Sequence, residues 1–75
     1  MKFSVYVNNV SSSRDYIINT SGEPTYFRCD EVGNKTSTGY RLDFNITGVN
    51  VGKGGIKVYL AADKTNSVTI AVAIR

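Results

Sequence analysis

The stretch Tyr40-Arg41-Leu42-Asp43-Phe44-Asn45-Ile46-Thr47 alternates apolar and polar residues without a fault. In an extended chain successive side chains point to opposite faces, so Tyr40, Leu42, Phe44 and Ile46 share one face and Arg41, Asp43, Asn45 and Thr47 the other. A helix would scatter the same apolar residues around its axis and leave no stripe to bury. The stretch is therefore a half-buried antiparallel strand, and the rest of the chain must supply what covers it.

Working outward, the same period of two recurs. Phe3, Val5 and Val7 alternate with Ser4 and Tyr6, making residues 2–8 a strand. Ile56, Val58 and Leu60 alternate with Lys57 and Tyr59, and Val68, Ile70, Val72 and Ile74 with Thr69, Ala71 and Ala73. Two shorter runs, 15–19 around Tyr16-Ile17-Ile18 and 25–29 around Tyr26-Phe27, are β-rich in composition. Pro24 cannot donate to a ladder, so it belongs at the first position of its strand or on a sheet edge. Val49-Asn50-Val51 offers a short seventh strand. The connectors 8–14, 20–24, 30–39, 48–55 and 61–67 are rich in turn-forming residues. Six or seven short strands with turns between them and no helical segment predict an all-β fold, a small antiparallel β-sandwich or a small barrel.

A chain of 75 residues makes one domain, 1–75, with a thin core that wants added support. One cysteine and no histidine give neither an internal disulfide nor a closed zinc site, so no metal or cofactor is expected, and association is the support that remains. No apolar run approaches the length of a membrane span, and the alternating N-terminus lacks the core of a signal peptide. Met1 suggests an intact product made in a cytoplasm. The net charge of +3 comes wholly from the last third, where Lys53, Lys57, Lys64 and Arg75 face only Asp63. That excess reads first as a solvated face and second as a docking patch for an acidic surface.

Enzymatic chemistry finds little footing. Nucleophilic catalysis of the Ser-His-Asp or Cys-His kind needs an imidazole, and there is none. Cys29 reads as an inert thiol, buried or half-buried, since Arg28 beside it points to the opposite face. Asp30-Glu31, the one adjacent acid pair, falls in an expected loop. Gly52-Lys53-Gly54-Gly55 leads into a strand instead of opening a helix, so it reads as a flexible turn tolerating positive φ and not as a phosphate loop.

The tyrosines ask for another explanation. Tyr6 and Tyr59 lie opposite the apolar rows of their strands, and with Lys57 and Arg28 they could form a stacking platform for a sugar or a single-stranded nucleic acid, with Tyr26 a further candidate for a glycan platform. The plainer reading is cross-strand packing. The last strand is unusual in a different way: Thr69, Ala71 and Ala73 make its second face small and mostly apolar. Cover from within the chain is the first expectation for that face, and cover by another molecule the second.

The run Phe3-Ser4-Val5-Tyr6-Val7, the loop-rich middle, and the turn Ala61-Ala62-Asp63-Lys64-Thr65-Asn66-Ser67 leading into Val68-Thr69-Ile70-Ala71-Val72 resemble the small immunoglobulin-like sandwiches of tailed-phage virions. They are also similar to the carbohydrate-associated sandwich modules common in Bacteroidetes. The Cys and Trp pair of antibody-type domains is missing, and no functional residue is carried over. The first resemblance implies a non-enzymatic auxiliary, or decoration, protein on a bacteriophage capsid surface, partnered by the capsid lattice or by copies of itself. Residues Tyr6, Tyr26, Arg28, Lys57, Tyr59, Ala71 and Ala73 are the interface candidates. A carbohydrate-binding module is the second reading, and a small cytoplasmic effector binding a host protein or nucleic acid the third.

Overall fold

A computed structural model describes residues 1–75. Six strands form two antiparallel three-stranded sheets: β1 (Lys2–Asn8), β4 (Gly39–Gly48) and β3 (Phe27–Lys35) in the order β1-β4-β3, and β2 (Tyr16–Ser21), β5 (Gly52–Leu60) and β6 (Ser67–Ile74) in the order β2-β5-β6. The alternating stretch that opened the sequence reading is the central strand of the first sheet. It is flanked on both sides, pairing Val5 with Leu42 and Cys29 with Ile46. Its partner across the sandwich is β5, central in the second sheet.

The apolar rows meet between the sheets. Val5, Val7, Phe27, Leu42, Phe44 and Ile46 close from one side and Ile56, Val58 and Val72 from the other, with Phe27, Leu42 and Ile56 fully buried. Phe3 stacks on Phe44 with ring centres 5.0 Å apart. Nine buried apolar side chains are a small core for the whole chain, as its length requires.

Four local expectations change. The first is the region 30–39, expected as a loop, in which β3 runs on through Lys35. Its own pattern is too charged to announce a strand. Pairing with β4 imposes the extended form, and a tight hairpin closes it, with Thr36 N–H donating to the Gly39 carbonyl and Gly39 N–H to Thr36 Oγ1 at 3.0 Å. Second, Val49-Asn50-Val51 is a bend, with Val49 and Val51 exposed, so no seventh strand forms. Third, Ser13–Asp15 forms one turn of 3-10 helix where a strand was expected to begin at Asp15. The Asp15 carboxylate accepts the Ser11 and Ser12 N–H groups at 3.1 Å each, which holds the turn. Fourth, Thr25 and Tyr26 belong to a turn with Pro24 and not to a strand. Tyr26 N–H donates to the Gly22 carbonyl, and Gly22 takes the positive φ of 99° that the turn needs.

Glycines 52, 54 and 55 also differ from expectation, since all three lie inside β5 and none has positive φ. Two of them serve close approach instead. A Cβ on Gly52 would enter the Tyr26 ring, and one on Gly54 would meet the Ser21 carbonyl and the Phe27 ring. Gly55 differs, because its nearest neighbour is the Ile70 carbonyl at 3.3 Å. Overpacking of this kind costs about 1–3 kcal/mol. Gly54→Ala should therefore lower the urea midpoint of unfolding clearly more than Gly55→Ala, and equal midpoints would refute the close approach.

Candidate functional site

The two sheets carry the predicted platform residues apart. Register places Tyr6 beside Arg41 and Arg28 beside Thr47, both on the outer face of the β1-β4-β3 sheet. Tyr59 and Lys57 point from β5 out of the opposite face of the sandwich. Tyr26 is half-buried over Gly52. A single stacking platform of Tyr6, Tyr26, Arg28, Lys57 and Tyr59 does not exist, because alternation fixes which side of its own sheet a residue takes but not which sheet the strand joins.

What the fold does bring together is Lys57, Tyr59, Ala71 and Ala73. The Lys57 ammonium lies 5.7 Å from the Tyr59 ring centre, and Asn19 Nδ2 donates to the Tyr59 hydroxyl at 3.3 Å. Cross-strand rows continue to Thr69 opposite Lys57, Ala71 opposite Gly55 and Ala73 opposite Lys53. Ala71 and Ala73 are exposed. The expected cover from within the chain is therefore absent: β6 is an edge strand, and no element lies over its outer face.

The outer face of the first sheet carries the exposed Tyr6 and Val32 around a carboxylate that is already satisfied. Asp43 accepts from Ser4 Oγ at 2.6 Å, Asn34 Nδ2 at 2.9 Å and Arg41 Nε at 3.2 Å. The Ser4 hydrogen bond, with the Arg41 hydrogen bond and charge beside it, holds the Asp43 carboxyl below its usual range. Cys29 is half-buried and packs against the core. Burial pushes its thiol up, and the Glu23, Glu31 and Asp30 carboxylates push the same way, the reverse of what a nucleophilic thiol requires.

The two flanks of the sandwich are unlike. On one, β3 and β2 are tied: Cys29 N–H donates to Glu23 Oε2 at 2.6 Å, Thr20 Oγ1 to Glu23 Oε1 at 3.0 Å, and Lys35 Nζ to the Ser11 carbonyl at 2.7 Å. Tyr16 covers Gly33, its hydroxyl 3.0 Å from where a Cβ would stand. On the other flank β1 and β6 end their sheets with nothing between them, and an opening of about 280 Å³ is lined by Val5, Val7, Val58, Leu60 and Val68 among others. Comparison of the chain with models of protein families, with curated proteins and with solved structures gives no match. The open flank thus has to be read from its own chemistry.

That chemistry is largely backbone. Leu60 N–H donates to the Asn66 carbonyl, which sets the phase of the β5/β6 ladder and turns the N–H and C=O groups of Ser67, Thr69, Ala71 and Ala73 away from β5. Met1 and Ile46 set the phase of β1 in the same way, leaving Lys2, Ser4, Tyr6 and Asn8 with outward groups. Val68 sits on the inward row of β6 and is nevertheless 49% exposed. None of this was legible in the sequence beyond the absence of charge and proline from 67–74, since pairing partners decide where an edge falls.

Two measurements check the electrostatics. Asp43 should titrate below the ordinary carboxylate range by side-chain NMR, and Ser4→Ala should move its midpoint up. Because the folded value is depressed, the stabilisation is whole above the unfolded pKa and is lost as pH falls through the folded one. Cys29 should react with a disulfide reagent at pH 8 at least tenfold more slowly in folded than in urea-unfolded protein; equal rates would contradict its burial.

Proposed function

We propose that this chain is a non-enzymatic structural module that docks through its open flank on a protein assembly, of the kind tailed-phage virions carry as auxiliary capsid proteins. The observation that carries the reading is the flank itself. Two edge strands with unpartnered backbone groups border an opening whose wall includes Val5, Val7, Val58, Leu60 and Val68, in a chain whose other flank is tied shut. Natural sheets blunt exposed edges with charge, proline or bulges, and an edge left unblunted over eight residues is a template for another chain.

Strand order supports the immunoglobulin-like part of the reading. An antibody constant-type sandwich sets strands ABED against CFG. The orders β1-β4-β3 and β2-β5-β6 match B-E-D and C-F-G, with the first strand missing. The place of that strand is the free edge of β1, on the open flank. A partner strand seated there would cover Val68 and complete the sandwich, which suits a domain whose own core is thin.

Particles assembled in cells that make the protein provide the test. The chain should band with purified particles on a density gradient in many copies each, and Val68→Lys, which points a charge into the opening, should reduce its occupancy more than tenfold while Val32→Lys on the outer face of the other sheet does not. Absence from particles, or equal occupancy of both variants, would remove the reading. Binding to a glycan array through Tyr59 and Lys57 would favour the carbohydrate module instead.

A further inference from the structure

We infer that the open flank holds a second copy of this chain, joined through antiparallel pairing of β6 with its own symmetry mate. The inference rests on the reading of that flank as an association surface and names its first occupant. It stands on three features of the edge.

Hydrogen-bonding phase comes first. The outward N–H and C=O groups belong to residues 67, 69, 71 and 73. A two-fold axis through Ile70 pairs Ser67 with Ala73 of the other copy and Thr69 with Ala71, all of them residues with free groups. Every pair then makes both of its bonds, about eight in all. The second feature is inward cover. The same register faces Ile70 with its own mate and Val68 with Val72 of the other copy, so the half-exposed Val68 gains an apolar neighbour on the side where its own sandwich supplies none.

Charge is the third. Strand β6 has no ionic side chain, so no like charges face each other along the ladder. Past its ends the antiparallel arrangement sets Arg75 of one copy toward the 61–66 turn of the other, where Asp63, held by the Thr65 N–H and hydroxyl, stands beside Lys64. Asp63 is the sole acid of the basic last third. Two-fold symmetry repeats this approach of Arg75 to the Asp63 turn at both ends. The edge of β1 on the same flank is less suited to self-pairing, because it carries Lys2 and its inward residues Val5 and Val7 are already buried. Pairing through β6 makes one continuous six-stranded sheet, with Tyr59, Lys57, Ala71 and Ala73 of both copies on a single outer face.

Sedimentation velocity on the isolated chain from 5 to 500 micromolar reads the outcome. The mass should rise from 8.2 kDa toward twice that value. Two variants should stay monomeric across that range with unchanged circular dichroism: Val68→Lys, and Ala71→Pro, which removes an N–H that β5 does not use. Val32→Lys should still dimerise. Register is read separately in a Cys29→Ser background. There Ile70→Cys should cross-link to its mate under mild oxidation, since facing positions of this kind bring Cα atoms about 4.5 Å apart, while Val68→Cys should not. A chain monomeric at 500 micromolar, a dimer that survives Val68→Lys, or cross-linking at 68 and not at 70 would overturn the inference. Should Ala71→Pro fail to fold, Val68→Lys alone decides. A monomer that still bands with particles would sink only the dimer, and a dimer that never joins a particle would sink only the docking.

Discussion

Every strand presents hydrogen-bonding groups along both of its sides, and two open sheets of three strands must leave four sides without a neighbour. Here those four edges lie in pairs on two flanks. On the β2/β3 flank the chain spends Glu23, Lys35, Thr20 and Tyr16 on closure. It has nothing left for the β1/β6 flank, because the remaining segments are short turns at the ends of the sandwich.

A thin core sharpens the point. The middle strands, β4 and β5, bury Leu42, Phe44, Ile46, Ile56 and Val58 from their inward rows, whereas the edge strand β6 buries its row in part: Val72 is 2% exposed and Val68, four residues earlier on the same row, 49%. Adding a strand from outside converts an edge into a middle strand and recovers burial that the chain cannot achieve alone. In the association proposed above, binding would draw on the same interactions as folding, a common solution in domains of this size.

The chemistry-bearing residues are engaged within the fold. Asp43 and Asp15 are occupied by hydrogen bonds from neighbouring side chains and backbone, Cys29 is packed against the core beside three carboxylates, and the glycines of β5 make room for Tyr26 and Phe27. Lys57 and Tyr59 remain as the polar and aromatic part of the face next to β6, where Ala71 and Ala73 continue the surface without obstruction.

The alternation of 40–47 was enough to establish a half-buried strand, and the same periodicity established β1, most of β5 and β6, because side-chain direction in an extended chain is a local property. It also separated Arg28 from Cys29 correctly. Where the pattern was charged, as in 30–35, or depended on a neighbour's approach, as at Gly52 and Gly54, local reading failed: extension there is imposed by β4, and the glycines answer to Tyr26, Phe27 and the Ser21 carbonyl. Which tyrosines share a face, which strand ends a sheet and which flank stays open were settled only by the pairing of segments far apart in the chain. That pairing depends on the summed burial and hydrogen bonding of all six strands, a quantity that no single stretch of residues contains.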